Sequence, residues 1–220
     1  KLIYEQIERC KTIISDMGSL GKDDQYVKII DFFTLLFEAS QPYKNFEKQI
    51  IFRLNGVSQS HEGISINEKM IPLVKREPEL IHGIRNIVHN ALKFSKSHVD
   101  INLITNSRKI NLEITDDGKG FPNDITNMIG EPFLKKSNFY LMEVKNRRSE
   151  EGMGLGLFIA NILLEKTKGR LKFSNMQQIE NDGKKRITGA KVEISWERSS
   201  IEVLQWDKKA KMKENPRNVS

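Results

Sequence analysis

Two hydrophobic periods alternate along the chain. Ile3, Ile7, Cys10, Ile14 and Met17 recur at spacings of 4-3-4-3, which predicts a helix presenting a seam to other helices, with Gly18 and Gly21 punctuating its end. Val27, Ile30, Phe33, Leu36 and Phe37 fall on one face of a second expected helix over residues 25–39, closed by Gln41-Pro42. Residues 49–54 and 64–74 read as short strands around a polar loop at 55–63. Pro78 then opens a helix, and Leu80, Ile84, Ile87, Val88, Ala91 and Leu92 mark its apolar face through about Ser95. From there the period drops to two. Val99, Ile101 and Leu103, then Ile110, Leu112 and Ile114, flank a turn at Asn106-Ser107-Arg108, the pattern of a hairpin with one buried face.

Periodicity is lost over residues 117–153, which are rich in Gly, Pro, Asn and charge. A stretch of that length is too long for an ordinary connection, so a functional loop is expected. A helix over Leu155–Lys166 follows, stopped by Gly169, and then two strands at Leu171–Phe173 and Ala190–Trp196 around a turn at Asn181-Asp182-Gly183. The charged, Pro-containing residues 205–220 read as a disordered tail.

The 220 residues, 38% of them hydrophobic, suffice for one full core and a short appended element. One cysteine, Cys10, excludes an internal disulfide and a cysteine-built zinc site, and fits a reducing compartment. No apolar run approaches the roughly 20 residues needed to span a bilayer, so the chain itself is expected to be soluble. It begins at Lys1 without a methionine, which reads as part of a longer protein. The formal charge of +7 would permit nucleic-acid binding, but Lys and Arg concentrate only at residues 135–148 and after Trp206.

Four blocks carry the chemistry: Asn86-Ile87-Val88-His89-Asn90-Ala91, Asp116-Asp117-Gly118-Lys119-Gly120, Glu131-Pro132-Phe133, and Gly152-Met153-Gly154-Leu155-Gly156-Leu157. On a helix, Asn86, Asn90 and Lys93 project from one face, opposite the apolar one. Such a stripe either faces water or offers neutral amide oxygens to a hard cation such as Mg²⁺, which draws the rest of its shell from water and substrate phosphates. Asp116 leaves an apolar strand at a sheet edge, as an Asp-Gly turn or as an acceptor for an adenine amine, with Gly118 and Gly120 letting backbone approach the base. Gly152, Gly154 and Gly156 open a helix, as a hinge or as a phosphate cradle of exposed amides. A basic loop beside such a site would draw in a triphosphate, so no direct nucleic-acid partner is expected.

In this order and on these elements, the blocks resemble the N, G1, F and G2 boxes of the GHKL superfamily, which contains sensor histidine kinases, gyrase-type topoisomerases, Hsp90 and MutL. The resemblance covers about residues 45–197 and implies an α+β fold, a two-layer α/β sandwich with ATP under a lid between the F and G2 boxes. Its ATPases carry a glutamate general base where this chain has Asn86, and its histidine kinases typically carry asparagine. Without a carboxylate there, the site suits delivery of a phosphoryl group to a neutral imidazole. Glu5-Gln6, Arg9-Cys10, Gly21-Lys22-Asp23-Asp24 and Pro78-Glu79-Leu80-Ile81-His82-Gly83-Ile84-Arg85-Asn86 further resemble the redox-responsive RegB/PrrB type of sensor kinase.

Carried over box by box, the resemblance makes Asn90 the Mg²⁺ ligand and has Asn86 and Lys93 support the phosphates. Phe94 stands in place of the commoner tyrosine against adenine, and Asp116, Gly118, Gly120 and Phe121 line the base. Phe133 anchors the lid, and Gly152, Gly154, Leu155 and Gly156 meet the phosphates. Lys135, Lys136, Arg147 and Arg148 are lid cations. Residues 1–22 would be the second helix of a dimerisation and phosphoacceptor hairpin, 23–44 a linker region, 45–200 the catalytic domain and 201–220 a tail. The acceptor histidine would lie upstream, since His61-Glu62 sits in a loop without the motif that follows a phosphoacceptor. The partners implied are that hairpin, a response regulator and a second copy of the full protein, and the setting is the cytoplasmic side of a bacterial inner-membrane sensor. Cys10, flanked by Arg9 and Lys11, is either a seam residue or a redox-responsive thiol. A GHKL ATPase or clamp, and a module that binds nucleotide without transfer, are the alternatives.

Overall fold

The computed structural model describes residues 28–59, 71–121 and 155–203. Strict alternation gives the expected hairpin. In β5 (His98–Thr105) and β6 (Lys109–Asp116) every second side chain is buried, and the two pair antiparallel with Val99 opposite Asp116 and Thr105 opposite Ile110. They form the middle of a six-stranded sheet with β2 (Gln49–Leu54), β3 (Val57–Gln59), β7 (Arg170–Ile179) and β8 (Lys185–Glu197), in the order β3-β2-β5-β6-β8-β7. Only the β2–β5 pair is parallel. Asn55 and Gly56, with φ of 50° and 83°, form the two-residue turn that folds β3 back on β2.

Three helices bury their apolar sides with the inward-facing strand residues: α1 (Phe32–Ser40), α2 (Pro78–Phe94) and α3 (Leu155–Lys166). The resulting core runs from Phe32, Phe33 and Leu36 through Ile84, Ile87 and Leu92 to Ile101, Leu112, Ile194 and Trp196. Trp196 is fully buried, so its indole N–H requires a partner; it donates to the Thr167 hydroxyl at 3.0 Å, and its ring meets Phe32 edge-on at 5.6 Å. The other sheet face is polar, with Arg53 on Asp100 at 2.5 Å and Lys191 on Glu113 at 2.7 Å. This is the expected α+β sandwich, one helical layer on one sheet. No helix among the described residues is long and apolar enough to cross a membrane.

Several sequence expectations are corrected, the first being the loop expected at 55–63, whose residues Val57–Gln59 form β3. The helix expected over residues 25–39 begins only at Phe32, where Asp31 caps it by accepting the Thr34 amide at 2.8 Å. Before it, β1 (Ile29–Asp31) is extended because it pairs with β4 (Leu73–Lys75), the described part of the strand expected at 64–74. Residues 32–40, expected within a linker, belong to the core, because Phe32, Phe33, Leu35 and Leu36 supply more apolar surface than a linker could leave in water. At the other end the chain stays anchored past residue 200. After α4 (Arg198–Ile201), Glu202 bridges to Val74, and the Val203 amide donates to the Leu73 carbonyl at 2.7 Å. Strands β7 and β8 also run longer than expected, to Ile179 and from Lys185. The helix seam of residues 3–17 and the tail after residue 203 lie outside the described residues.

Candidate functional site

Helix α2 supplies one wall. Pro78 fits its first turn, where an N–H would lack a helical partner, and Glu79 and Lys93 complement its two ends. Asn86 is 5% exposed, so it does not simply face water; its amide donates to the His82 carbonyl at 2.9 Å. A Cβ placed on Gly156, at the start of α3, would lie 3.9 Å from Asn86 Oδ1. Two of the four blocks therefore meet where α2 and α3 pack. Asn90 follows one turn along α2, and Lys93 and Phe94 end the helix, with Lys93 Nζ 5.2 Å from the Phe94 ring centre and Phe94 48% exposed. A half-exposed aromatic at a helix end offers a flat apolar face for a planar ligand.

The loop after β6 supplies the second wall. Asp116 is buried, and its Oδ1 accepts the amides of Gly118 at 2.8 Å and Ala190 at 3.2 Å, leaving Oδ2 without a hydrogen-bond partner among the described residues. Burial pushes its carboxyl above the usual range. The two amides oppose that shift, Asp117 adds to it, and Lys48 reduces it. A carboxylate oxygen that the protein itself leaves without a donor can take one from a ligand N–H. Gly118 leaves no room for a side chain, since a Cβ would collide with the Phe94 carbonyl and stand 2.9 Å from Asp116 Oδ1. Gly120 has φ +78°, a conformation only glycine adopts without strain. Phe121 then turns into the core, edge-on to Phe173 at 5.8 Å.

Thus Asn86 meets Gly156, and Phe94 meets Gly118 beside Asp116. Phe133, Gly152, Gly154 and the cations Lys135, Lys136, Arg147 and Arg148 lie outside the described residues, as does Cys10; Leu155 opens α3. Three contributors escaped the sequence reading. Gly189 passes so close to Asp116 that a Cβ there would overlap its carbonyl oxygen, which is what lets Ala190 reach Asp116 Oδ1. An isolated glycine inside the strand, where it marks a close backbone approach, was the available signal. Asn175 on β7 accepts the Phe121 amide at 2.6 Å and donates to its carbonyl at 2.9 Å, clamping the exit of the glycine loop. Lys48 donates to carbonyls at the end of α2. Neither of these two has a local sequence signal.

Among the described residues no group of three or more His, Cys, Asp or Glu could hold a metal; the oxygens that the side chains of Asn86 and Asn90 bring to α2 are neutral amides, a donor type compatible with a cation that keeps its waters and phosphate oxygens. The family model for histidine kinase-, DNA gyrase B- and HSP90-like ATPases matches residues 75–199, more than half of the chain. The chain belongs to this ATPase family. Its resemblance to sensor histidine kinases of the RegB type holds across nearly the whole sequence: it is 37% identical over 199 residues to sensor histidine kinase RegB of Cereibacter sphaeroides, covering 89% of this chain and 41% of that protein. The chain thus spans about two fifths of that relative's length. The fold is shared with a mycobacterial sensor histidine kinase, MprB, at a TM-score of 0.52 and 19% identity over 78% of this chain and 97% of that one. It is also shared with full-length ShkA solved with AMPPNP, at a TM-score of 0.55 and 15% identity over 91% of this chain and 37% of that one. The family model and the curated relatives place the chain with the ATP-binding catalytic part of sensor histidine kinases, and the solved structures share its fold.

Proposed function

We propose that this chain binds ATP with Mg²⁺ and transfers its γ-phosphoryl group to a histidine on an upstream hairpin of the same protein, for relay to a response regulator. The observation that carries this reading is Asn86, an uncharged residue buried where α2 meets Gly156. An ATPase needs a base to activate water, and an amide cannot serve. A neutral imidazole needs no such base: its ring nitrogen forms the new N–P bond as the bond from the γ-phosphorus to the bridging oxygen breaks, ADP leaves, and the ring proton passes to solvent. Asp116 Oδ2 would accept the adenine amine, Phe94 would lie against the base, and Asn86 and Lys93 would orient the phosphates. Asn90 would hold the metal, which supplies neutralisation of phosphate charge when bound.

In the same reading, Phe133 anchors the lid, Gly152, Gly154, Leu155 and Gly156 meet the phosphates, and Gly118, Gly120 and Phe121 shape the base pocket. Residues 1–22 form the second arm of the hairpin, the whole protein dimerises as a bacterial inner-membrane sensor, and this chain is its cytoplasmic domain. Cys10 in that arm would be its redox-responsive thiol.

The test uses the chain with a separately supplied hairpin bearing the upstream histidine. Acid-labile, base-stable label from γ-labelled ATP should appear on the hairpin, not on this chain, and Asn90→Ala should abolish it. Label on His61 would overturn the assignment of the acceptor, and ATP hydrolysis by the chain alone would favour an ATPase.

A further inference from the structure

The segment joining α2 to β5, residues 92–98, is gripped by two side chains of opposite charge. Lys48, just ahead of β2, directs Nζ to the carbonyl oxygens of Leu92 at 2.6 Å and Ser95 at 2.7 Å, with that of Lys93 at 3.4 Å. Asp117 takes the amides that follow. Its Oδ1 accepts from Lys96 at 2.7 Å, Ser97 at 3.1 Å and His98 at 3.4 Å, and its Oδ2 from the Ser97 amide at 3.0 Å and hydroxyl at 2.5 Å. The cation meets the negative end of the helix, and the anion meets the unpaired donors beyond it. The Lys48 grip spans Phe94, whose carbonyl packs against Gly118, the Asp117 grip follows directly after it, and Asp117 adjoins Asp116.

We propose that Lys48 and Asp117 are positioning residues for nucleotide binding, a charge pair that fixes the end of α2, and with it Phe94, relative to Asp116. The inference rests on the ATP site proposed above. Both side chains are spent on residues 92–98, so they act on the ligand through the placement of Phe94 and Asp116. Binding at such a site depends on how well its walls are preorganised, because a ligand that must first order them loses affinity. The clamp stands at the base end of the site, so its loss should weaken adenosine, ADP and ATP by a common factor, whereas loss of a phosphate or metal contact weakens only the phosphorylated ligands.

The experiment measures displacement of a fluorescent ATP analogue by adenosine, ADP and ATP, alongside thermal melting, for the full chain and for Lys48→Met, Lys48→Arg, Asp117→Asn, Lys48→Met with Asp117→Asn, and Asp116→Asn. Lys48→Met should weaken all three ligands about equally, by roughly 5- to 20-fold, the size of one or two lost net hydrogen bonds. Lys48→Arg should restore most of that. Asp117→Asn, the milder change that keeps the fold if Lys48→Met does not, should weaken them in the same pattern, and the double variant should lose less than the product of the two single losses. Wild-type adenosine affinity in Asp117→Asn or in folded Lys48→Met, with Asp116→Asn still impaired, would overturn the clamp and leave the site standing. Undiminished binding by Asp116→Asn would instead overturn the site itself.

Discussion

The inner and outer sides of the loop after β6 hold consecutive aspartates in opposite surroundings. Asp117, on the outer side, is saturated: amides of Lys96, Ser97 and His98 and the Ser97 hydroxyl all point at it. Burial raises its carboxyl pKa, but those donors outweigh burial and hold it far below the usual range. Asp116, on the inner side, is more deeply buried yet has two amides on one oxygen and none from the described residues on the other, and its carboxyl is pushed up. A carboxylate that serves the fold is satisfied by the fold. Asp116, for which a ligand role is proposed, is left by the fold with one oxygen free of donors among the described residues.

The sharpest way to break this contrast is Asp116→Asn. It should lower adenine-nucleotide affinity about tenfold or more, since a charge-assisted hydrogen bond is worth about 1.5–3 kcal/mol, yet it should not lower the melting temperature of the free chain at neutral pH. The sign follows from the raised folded pKa: ionised Asp116 disfavours folding above that pKa, and the penalty vanishes below the unfolded value near 3.9. Weaker binding together with a markedly lower melting temperature would make Asp116 a structural residue like its neighbour. Gly189→Ala comes next. Its Cβ would overlap the Asp116 backbone, so overpacking should cost about 1–3 kcal/mol in chemical denaturation, and unchanged stability would mean that β8 does not seat Asp116 from behind.

Asp117→Asn should cost about 1 kcal/mol, discounted because the side chain is partly exposed to solvent. Here the folded pKa is depressed, so the contribution is present above pH about 3.9 and is lost as pH falls towards the folded value. Melting curves of variant and wild type should converge in acid, and a gap that stays constant with pH would remove the ionised carboxylate from the explanation. Asp182→Ala is expected to have the smallest effect. Lys184 lowers the Asp182 carboxyl pKa through its side chain and amide, but that turn is fully solvated. Melting temperature and nucleotide affinity should both stay at wild-type values, which separates a low pKa as such from one that holds structure.

The elements legible in the sequence are those whose period survives burial. Helix α2 and the β5–β6 hairpin present long, uninterrupted apolar faces, so both were expected within a residue or two of where they lie. The outer half of β7 and β8 went unseen because residues 177–186 are exposed on both faces and so carry no alternation. Strand β1 was absorbed into a helix because Ile30 also fits the helical period, although Asp31 ahead of Phe32 was a readable cap. Within the site, residues whose type implies chemistry, such as Asn86, Asn90, Asp116 and the glycines, could be singled out. Lys48 and Asn175 could not, since their partners lie 44 to 54 residues away and a lone polar residue at either place looks like surface.

The small sheet of β1 and β4 bears on mechanics. Ile29, Ile30 and Asp31 lie in register against Lys75, Val74 and Leu73, and the ladder is extended by Phe32 to Pro72 and Arg76 to Lys28. A pull on the backbone at Lys28, directed along the strand, would load these hydrogen bonds together in shear rather than peel them one by one. Arg76, which also grips Glu38 on α1, is followed by Glu77 and then by Pro78, where α2 starts. A displacement at Lys28 therefore reaches the root of the asparagine-bearing helix through one hydrogen-bonded ladder and one ion pair, loaded together.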